Sequence, residues 1–300
     1  MWILFALVSA CLLGLYDVFK KHSLRHNAVI PVLLINCFIC SLFFIPFILL
    51  SLGGVIPEGN AMYIPRGNLH EHLLVIVKAF VVLSSWICGY FAIKHLPLTI
   101  VGPVNATRPV MTMVGALLVF GEKLNPWQWA GVSVAILAFF LLSVSGRKEG
   151  IKFSSNRWIW LLVSAAFLGA VSALYDKYLI STAGLNRLFV QGWYNLYQNI
   201  IMTVVLVTLW LPTRKKTTRF SWKWTIPLIS VFLTAADIAY LYALSLPGAM
   251  ISVVSMVRRS SVIVSFTFGA LLFHERNLKG KVIDLALVML SLILLLIGTL

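Results

Sequence analysis

Ten long apolar stretches separated by short polar segments are the feature that most constrains what this chain can fold into. A helix rises 1.5 Å per residue, so about 20 apolar residues cross a hydrocarbon core about 30 Å thick. Apolar residues make up 60% of the 300 and charged residues only 11%, which is too little polar surface for a soluble domain of this size. The sequence therefore predicts an all-α membrane protein with ten transmembrane helices, at residues 1–19, 28–52, 70–94, 98–120, 126–146, 156–180, 186–211, 222–244, 248–273 and 279–300.

The positive charge is divided unequally between the two sets of span ends. The chain has 24 Lys and Arg and a formal net charge of +15. One set of ends carries only Arg66, Lys123, Lys177 and Arg187. The other carries Lys20, Lys21, Arg25, Lys94, Arg147, Lys148, Lys152, Arg157, Arg214, Lys215, Lys216, Arg219, Lys223, Arg276, Lys279 and Lys281.

Cytoplasmic loops of membrane proteins are rich in Lys and Arg, so this distribution predicts that the second set is cytoplasmic and that both termini lie outside. A basic rim facing anionic lipid accounts for most of the charge, and we expect no nucleic-acid partner. The first stretch has no basic residues before Trp2 and no small-residue cleavage site, so we interpret it as the first span rather than a signal peptide.

Short matches recur in the same order in the two halves of the chain, residues 1–146 and 156–300. They are Leu15-Tyr16-Asp17 with Leu174-Tyr175-Asp176, Asn36 with Asn195, Leu96-Pro97 with Leu246-Pro247, Gly115-Ala116-Leu117-Leu118 with Gly269-Ala270-Leu271-Leu272, and Glu122 with Glu275. The matches indicate a duplication. Since each half has five spans, an odd number, the second half must be inverted. An inverted 5+5 repeat with its binding site between the repeats is typical of secondary transporters.

Two segments carry a resemblance to a known family: Arg108-Pro109 through Gly121-Glu122-Lys123-Leu124-Asn125-Pro126-Trp127-Gln128-Trp129-Ala130-Gly131, and His274-Glu275-Arg276. The chain resembles the EamA-like branch of the drug/metabolite transporter superfamily over nearly its whole length. The resemblance implies ten helices and alternating access about a central cavity. Many relatives are drawn with both termini in the cytoplasm, opposite to the charge distribution, so the orientation stays open.

Four basic residues fall within spans: Lys78, Arg108, Arg258 and Arg259. Such charges are costly in lipid and persist where they face a polar cavity or a partner. Arg108 and the Arg258-Arg259 pair lie about halfway along equivalent spans, where guanidinium groups suit phosphate or carboxylate. The segment 252–265 also resembles the stretch of plastid phosphate-sugar and nucleotide-sugar carriers whose adjacent basic residues contact substrate phosphate. We expect these residues, with Asn105 one turn before Arg108, to bind an anion.

The alternative is that the arginines pair with acids inside the membrane, for structure or as a gate. Asp237 is the best candidate partner and the deepest candidate for proton coupling. Asp17 and Asp176 lie near span ends, where they form interfacial ion pairs with Lys20-Lys21 and Lys177, or else serve as gates or proton-coupling groups.

Aromatic and amide side chains complete the candidate site. Trp86, Tyr90 and Tyr240 either line the cavity or pack against neighbours and lipid. Asn36 and Asn195 need hydrogen-bond partners, from a neighbouring helix or from the substrate. The fourth span is expected to bend where it borders the cavity, because it contains Gly102, Pro103 and Pro109.

We expect no cofactor, no metal and no enzymatic activity. His70-Glu71-His72 reads as an interfacial loop rather than a metal site, and neither a nucleophile–base arrangement nor a phosphate-binding glycine loop is recognisable. The sequence predicts a multi-pass secondary transporter of the bacterial cytoplasmic (inner) membrane. Its substrate would be a small anionic or phosphorylated metabolite, moved with a coupling proton or a counter-substrate. The alternative is an exporter of amphiphilic compounds or a flippase for a phosphate-bearing lipid, and membrane lipids are expected partners in either case.

Overall fold

The described part of the protein is almost entirely helical, with longer non-helical connections at 53–60 with 62–68 and at 214–224. The computed structural model describes residues 2–60, 62–120, 124–147, 153–246, 254, 257–273 and 278–298, and no strand occurs among them. The helices of the first half are α1 (Trp2–Leu24), α2 (Val29–Leu52), α3 (Leu69–His95), α4 (Leu98–Ala106), α5 (Arg108–Phe120) and α6 (Pro126–Arg147).

The described part of the second half contains five main helices and two π-helical turns. Its helices are α7 (Arg157–Lys177), α8 (Arg187–Val205), α9 (Thr225–Ser245), α10 (Ser261–Phe273) and α11 (Leu278–Ile297). A π turn at Tyr178–Thr182 extends α7, and a second at Leu206–Trp210, followed by Leu211–Thr213, extends α8.

Within the described residues, six helices are long and apolar enough to cross a membrane. They lie at Trp2–Leu24, Val29–Leu52, Leu69–His95, Arg157–Ile180, Arg187–Thr213 and Gly280–Ile297. Shorter apolar helices occupy Pro126–Leu142 and Thr225–Tyr240. Each of the ten predicted stretches contains helix, but the number of crossings stays a prediction.

Asparagine side chains mark the start of four helices. Asn68 Oδ1 accepts from Glu71 N at 2.9 Å, and Glu71 Oε2 accepts from Asn68 N at 2.7 Å, which closes a capping box at α3. Asn125, Asn156 and Asn186 begin α6, α7 and α8 in the same way, each accepting from a backbone N–H of the first turn. The segment His70–His72 is therefore the first turn of α3 rather than a loop, because the capping box satisfies the amides that a loop would leave to solvent.

The predicted bend in the fourth span is a break. Helix α4 ends at Ala106, Thr107 caps it with its hydroxyl on Val104 O at 2.7 Å, and α5 starts at Arg108. Pro109 has no N–H to offer the carbonyl four residues earlier, that of Asn105, so the helical ladder cannot continue through this point. The break places Asn105 and Arg108 on either side of one irregular turn.

The helices of the two halves interlock. Helix α1 packs along α9 while α3 packs along α7; α1 also contacts α10, as α5 contacts α7. The pairs α2–α8 and α6–α11 each join corresponding members of the two halves, and α4 also packs against α10. Exchanging the halves maps the contacts α1–α9, α1–α10, α2–α8 and α6–α11 onto contacts of the described helices, which is the pattern expected of a two-fold related repeat. The inversion of the second half remains a prediction.

Polar and small residues let these helices approach closely. Ser9 Oγ donates to Ala236 O across α1–α9 at 2.6 Å, and Ser85 Oγ donates to Ala165 O across α3–α7 at 2.7 Å. A Cβ on Gly14 would lie 2.5 Å from Val264 Cβ, so α1 and α10 can meet only at a glycine. Such contacts drive helix association in lipid, where burying apolar side chains gains little.

Candidate substrate cavity

A cavity of about 470 Å³ lies between α1, α3, α4, α5, α7, α9 and α10. This volume is in the range of small-molecule binding sites. Seven of the eight predicted substrate-binding residues line it: Trp86, Tyr90, Asn105, Arg108, Tyr240, Arg258 and Arg259. Two of the predicted gating acids, Asp17 and Asp176, also line it, together with Lys20 and Tyr16.

Arg108 enters the cavity from the break between α4 and α5. Its guanidinium packs against the backbone of Gly169 on α7, so closely that a Cβ there would lie 3.1 Å from Nε, Cζ and Nη1. Arg108 Nε is buried with no hydrogen-bond partner, and so is the Oδ1 atom of Asn105 one turn earlier. Both orphaned polar atoms belong to side chains that line the cavity. A ligand could supply an acceptor for Arg108 Nε and a donor for Asn105 Oδ1.

Arg258 and Arg259 reach the cavity from the turn just before α10. Arg258 Nη2 donates to Asp237 Oδ1 on α9, and its Cζ lies 4.7 Å from the centre of the Tyr240 ring. The expected Arg–Asp contact is thus present for Arg258. Arg259 experiences like charges, because the guanidinium groups of Arg108 and Arg258 both act on it.

Two further ion pairs border the cavity near opposite ends of the bundle. Lys20 Nζ lies 2.9 Å from Asp17 Oδ1, and it also sits 4.1 Å from the centre of the Tyr16 ring. This pair is towards the end where α1 and α3 finish, since Lys21 Nζ donates to Ile93 O there at 2.7 Å. The second pair, Lys78 with Asp176 at 2.8 Å, joins the beginning of α3 to the end of α7.

Four predicted site residues lie outside the cavity lining. Lys78 is buried behind Asp176, with Nζ 4.8 Å from the centre of the Tyr194 ring, and Asp237 reaches the cavity only through Arg258. Asn36 accepts from Ser230 Oγ at 2.9 Å and so joins α2 to α9, while Asn195 Nδ2 donates to Gln191 O within α8. Asn36 therefore has a partner on a neighbouring helix, although its Nδ2 atom is buried without one, whereas the partner of Asn195 lies in its own helix.

One acid has a partner that the sequence did not indicate, and two lysines lie away from the predicted rim. Asp176 pairs with Lys78, because the end of α7 lies against the beginning of α3; the side chain of Lys177 lies outside the described part of the chain. Lys20 and Lys281 are not part of an exposed basic rim. Lys20 is only 7% exposed and faces the cavity, and Lys281 is fully buried.

The environment of Lys281 is a polar cluster that sequence reasoning missed. Lys281 Nζ donates to Thr99 Oγ1 at 2.8 Å, and Asp284, one turn along α11, is 2% exposed. The cluster joins α11 to the beginning of α4, the helix that ends at Asn105. Lys281 and Asp284 are three residues apart and so share one helix face, and this spacing could have indicated the polar cluster from the sequence.

Several residues of the sequence motifs lie outside the described part of the chain. These are Gly121, Glu122, Lys123, Pro247, Ser252, Val253, Ser255, Met256, His274, Glu275 and Arg276. Among the described residues, no group of three or more His, Cys, Asp or Glu is arranged to hold a metal ion. His72 instead contacts Arg66 O through Nε2 and the Tyr197 hydroxyl through Nδ1, at 2.8 and 2.9 Å.

These observations define the class of protein. Long apolar helices surround a cavity lined by charged side chains, as in integral multi-pass membrane proteins that bind polar solutes. Residues 1–144, just under half of the chain, match the model of the EamA-like transporter family. This match indicates a membrane transporter of the drug/metabolite type and confirms, over these residues, the resemblance predicted from the motifs.

Comparison with solved structures extends the likeness to the second half. One of them, described only as a crystal structure of a protein, aligns over 100% of this chain and 98% of its own with a TM-score of 0.61. The two sequences are 14% identical, so the likeness concerns the fold alone. No curated protein matches the chain.

Proposed function

We propose that this chain is a secondary active transporter that moves a small anionic or phosphorylated metabolite by alternating access between two inverted halves. The observation that carries the proposal is the meeting of Arg108, from the first half, with Arg258 and Arg259, from the second, at one cavity. Guanidinium groups stay charged and offer forked donors, which suits phosphate and carboxylate.

Roles follow from position in the cavity. Arg108, Arg259 and Asn105 contact the anionic group. Arg258 also contacts this group when its ion pair with Asp237 opens. Trp86, Tyr90 and Tyr240 pack against the organic part of the substrate. Lys78 acts indirectly by holding Asp176 in place.

The acids are placed to respond to movement or to protons. Asp17 and Asp176 take part in ion pairs towards opposite ends of the cavity, as gating residues would. A proton on Asp237 would release Arg258 to the substrate and thereby couple proton entry to anion binding. We therefore propose a proton or an exchanged anion as the driving partner.

Transport in liposomes tests the proposal. Purified protein is reconstituted, loaded with an unlabelled panel of sugar phosphates, carboxylates or amino acids, and assayed for uptake of the labelled compound by exchange. Arg258→Ala and Arg259→Ala should each lower exchange of the preferred anion by at least about tenfold, the loss expected for one charged hydrogen bond. Arg157→Ala, an exposed arginine of the basic rim, is the matched control.

Normal anion binding and exchange in both arginine variants would remove the arginine assignment. A lipid arm distinguishes the alternative function: vesicles with a fluorescent phosphate-bearing lipid report flipping between leaflets. Flipping without uptake of any soluble anion would replace the proposed activity with that of a lipid flippase.

A further inference from the structure

The charges around the cavity do not cancel. Five cations line or directly border it, namely Lys20, Lys78, Arg108, Arg258 and Arg259, against three carboxylates, Asp17, Asp176 and Asp237. The three acids are each used by one cation: Lys20, Lys78 and Arg258. Within the described part of the chain, Arg108 and Arg259 have no carboxylate within ion-pair distance, so the cavity holds two positive charges in excess.

The two unpaired guanidinium groups face the same space. Both line the cavity; Asp17 offsets part of the charge of Arg108, whereas the full charges that act on Arg259 are those of Arg108 and Arg258. Neither can relieve the repulsion by losing its proton, since arginine stays protonated in proteins. Away from bulk water this repulsion is poorly screened, and an anion between the two groups would remove it.

The number of unpaired charges distinguishes between anions. A carboxylate or a sulfate ester carries one negative charge and would leave one guanidinium uncompensated. A phosphate monoester carries between about 1.5 and 2 negative charges near pH 7, with three acceptor oxygens. Two guanidinium forks offer donors for all three oxygens.

Resting on the proposed anion transport, we infer that the cavity selects a phosphate monoester in its dianionic form over monoanions of the same shape. The volume of about 470 Å³ and the aromatic side chains of Trp86, Tyr90 and Tyr240 suit a small organic group on the ester oxygen. The chemistry is the same for a soluble phosphate ester and for the head group of a lipid monophosphate.

A pair of probes that differ by one charge tests the selection. Phenyl phosphate and phenyl sulfate have nearly the same shape, but only the phosphate becomes a dianion. Binding to the full-length protein in detergent is measured by microscale thermophoresis at constant ionic strength. At pH 7.5, phenyl phosphate should bind at least about tenfold more tightly than phenyl sulfate.

The preference for phenyl phosphate should depend on pH through the ionisation of the phosphate group of the ligand. With a second phosphate pKa of about 6, the dianionic fraction falls about fourfold between pH 7.5 and 5.5. The preference for phenyl phosphate should fall by the same factor, because phenyl sulfate measured at both pH values corrects for titration of the protein.

Variants assign the selection to the unpaired arginines. In Arg108→Gln and Arg259→Gln the preference should shrink to within about threefold, whereas Arg157→Gln on the exposed rim should keep it. Arg108→Lys and Arg259→Lys preserve the charge and should keep most of the preference. Thermal unfolding of each variant identifies any that fails to fold. If a glutamine variant fails to fold, the test is whether the corresponding lysine variant keeps the preference for phenyl phosphate.

Each result has a definite reading. Equal affinity for the two probes would overturn the dianion inference and leave the anion-transport proposal standing. Failure of both probes, and of every other anion, to bind would overturn both. Binding of phosphatidate in nanodiscs at tenfold preference over phosphatidylglycerol, without binding of phenyl phosphate, would keep the dianion inference and assign it to a lipid substrate.

Discussion

Substitution of Gly169 by alanine should stabilise the fold while weakening anion binding. Gly169 lies within α7, and a glycine inside a helix costs about 0.5–1 kcal/mol relative to alanine. The added Cβ would lie 3.1 Å from three atoms of the Arg108 guanidinium, which is closer than carbon contacts normally allow. The flexible arginine must therefore move by a few tenths of an ångström.

The displacement sets the size of the effect on binding. In the free protein Arg108 can relax to another rotamer, and returning it to the anion costs about 0.5–1.5 kcal/mol, which corresponds to an affinity loss of about two- to twelvefold. Thermal unfolding of the purified protein should show a midpoint raised by roughly one to three degrees. Microscale thermophoresis with phenyl phosphate should show the weaker binding in the same preparation.

A double-mutant cycle assigns this loss to Arg108. In an Arg108→Gln background the Gly169→Ala change should have no further effect on affinity, because the group that it displaces is gone. Wild-type affinity in the single Gly169→Ala variant, with raised stability, would refute the placement of Arg108 at the anion. An equal loss of affinity in both backgrounds would indicate a change of cavity shape instead.

Three further variants test the ion pairs and a helix cap. Asp237→Asn removes the counter-ion of Arg258, so anion affinity should rise several-fold while exchange in liposomes slows through tighter retention; unchanged affinity would contradict this. Lys78→Met should lower thermal stability by about 1 kcal/mol, since Asp176 is partly exposed, and a second change of Asp176→Asn should restore most of it. Asn68→Ala removes the capping box of α3 and should cost about 1 kcal/mol with binding intact, whereas a loss of binding would place this cap in the mechanism.

Local sequence rules were sufficient for the helices and for most of the cavity. Apolar runs of membrane length fix where helices lie within a few residues, and Pro109 marked the place where the fourth span is interrupted. Arg108 and Arg258 were recognised because a charge in the middle of an apolar run needs a polar environment. These signals depend only on residues close together in the chain.

Contacts between distant segments could not be predicted in this way. Lys78 and Asp176 form an ion pair because α3 packs along α7. The residues near each of them in the sequence do not indicate that contact. Lys281 looked like a rim residue because it follows the start of an apolar run, yet the beginning of α4 covers it. The partner of a buried charge is decided by helix packing, which a single sequence leaves open.

The way the helices interlock predicts a role for the unpaired arginines that the paired ones do not have. Among the cavity walls, α3 and α5 pack on α7 as one unit, α9 and α10 pack on α1 as another, and α4 contacts members of both. Each of the three ion pairs lies within one unit, so sliding one unit past the other need break none of them. Arg108 packs on α7 in the first unit, whereas Arg259 belongs to the second. An anion held by both would join units that otherwise repel each other at this point, and binding would favour the closed arrangement. Arg108→Gln and Arg259→Gln should accordingly remain poor in liposome exchange even at saturating substrate, and recovery of the wild-type rate at saturation would show that this link is not required.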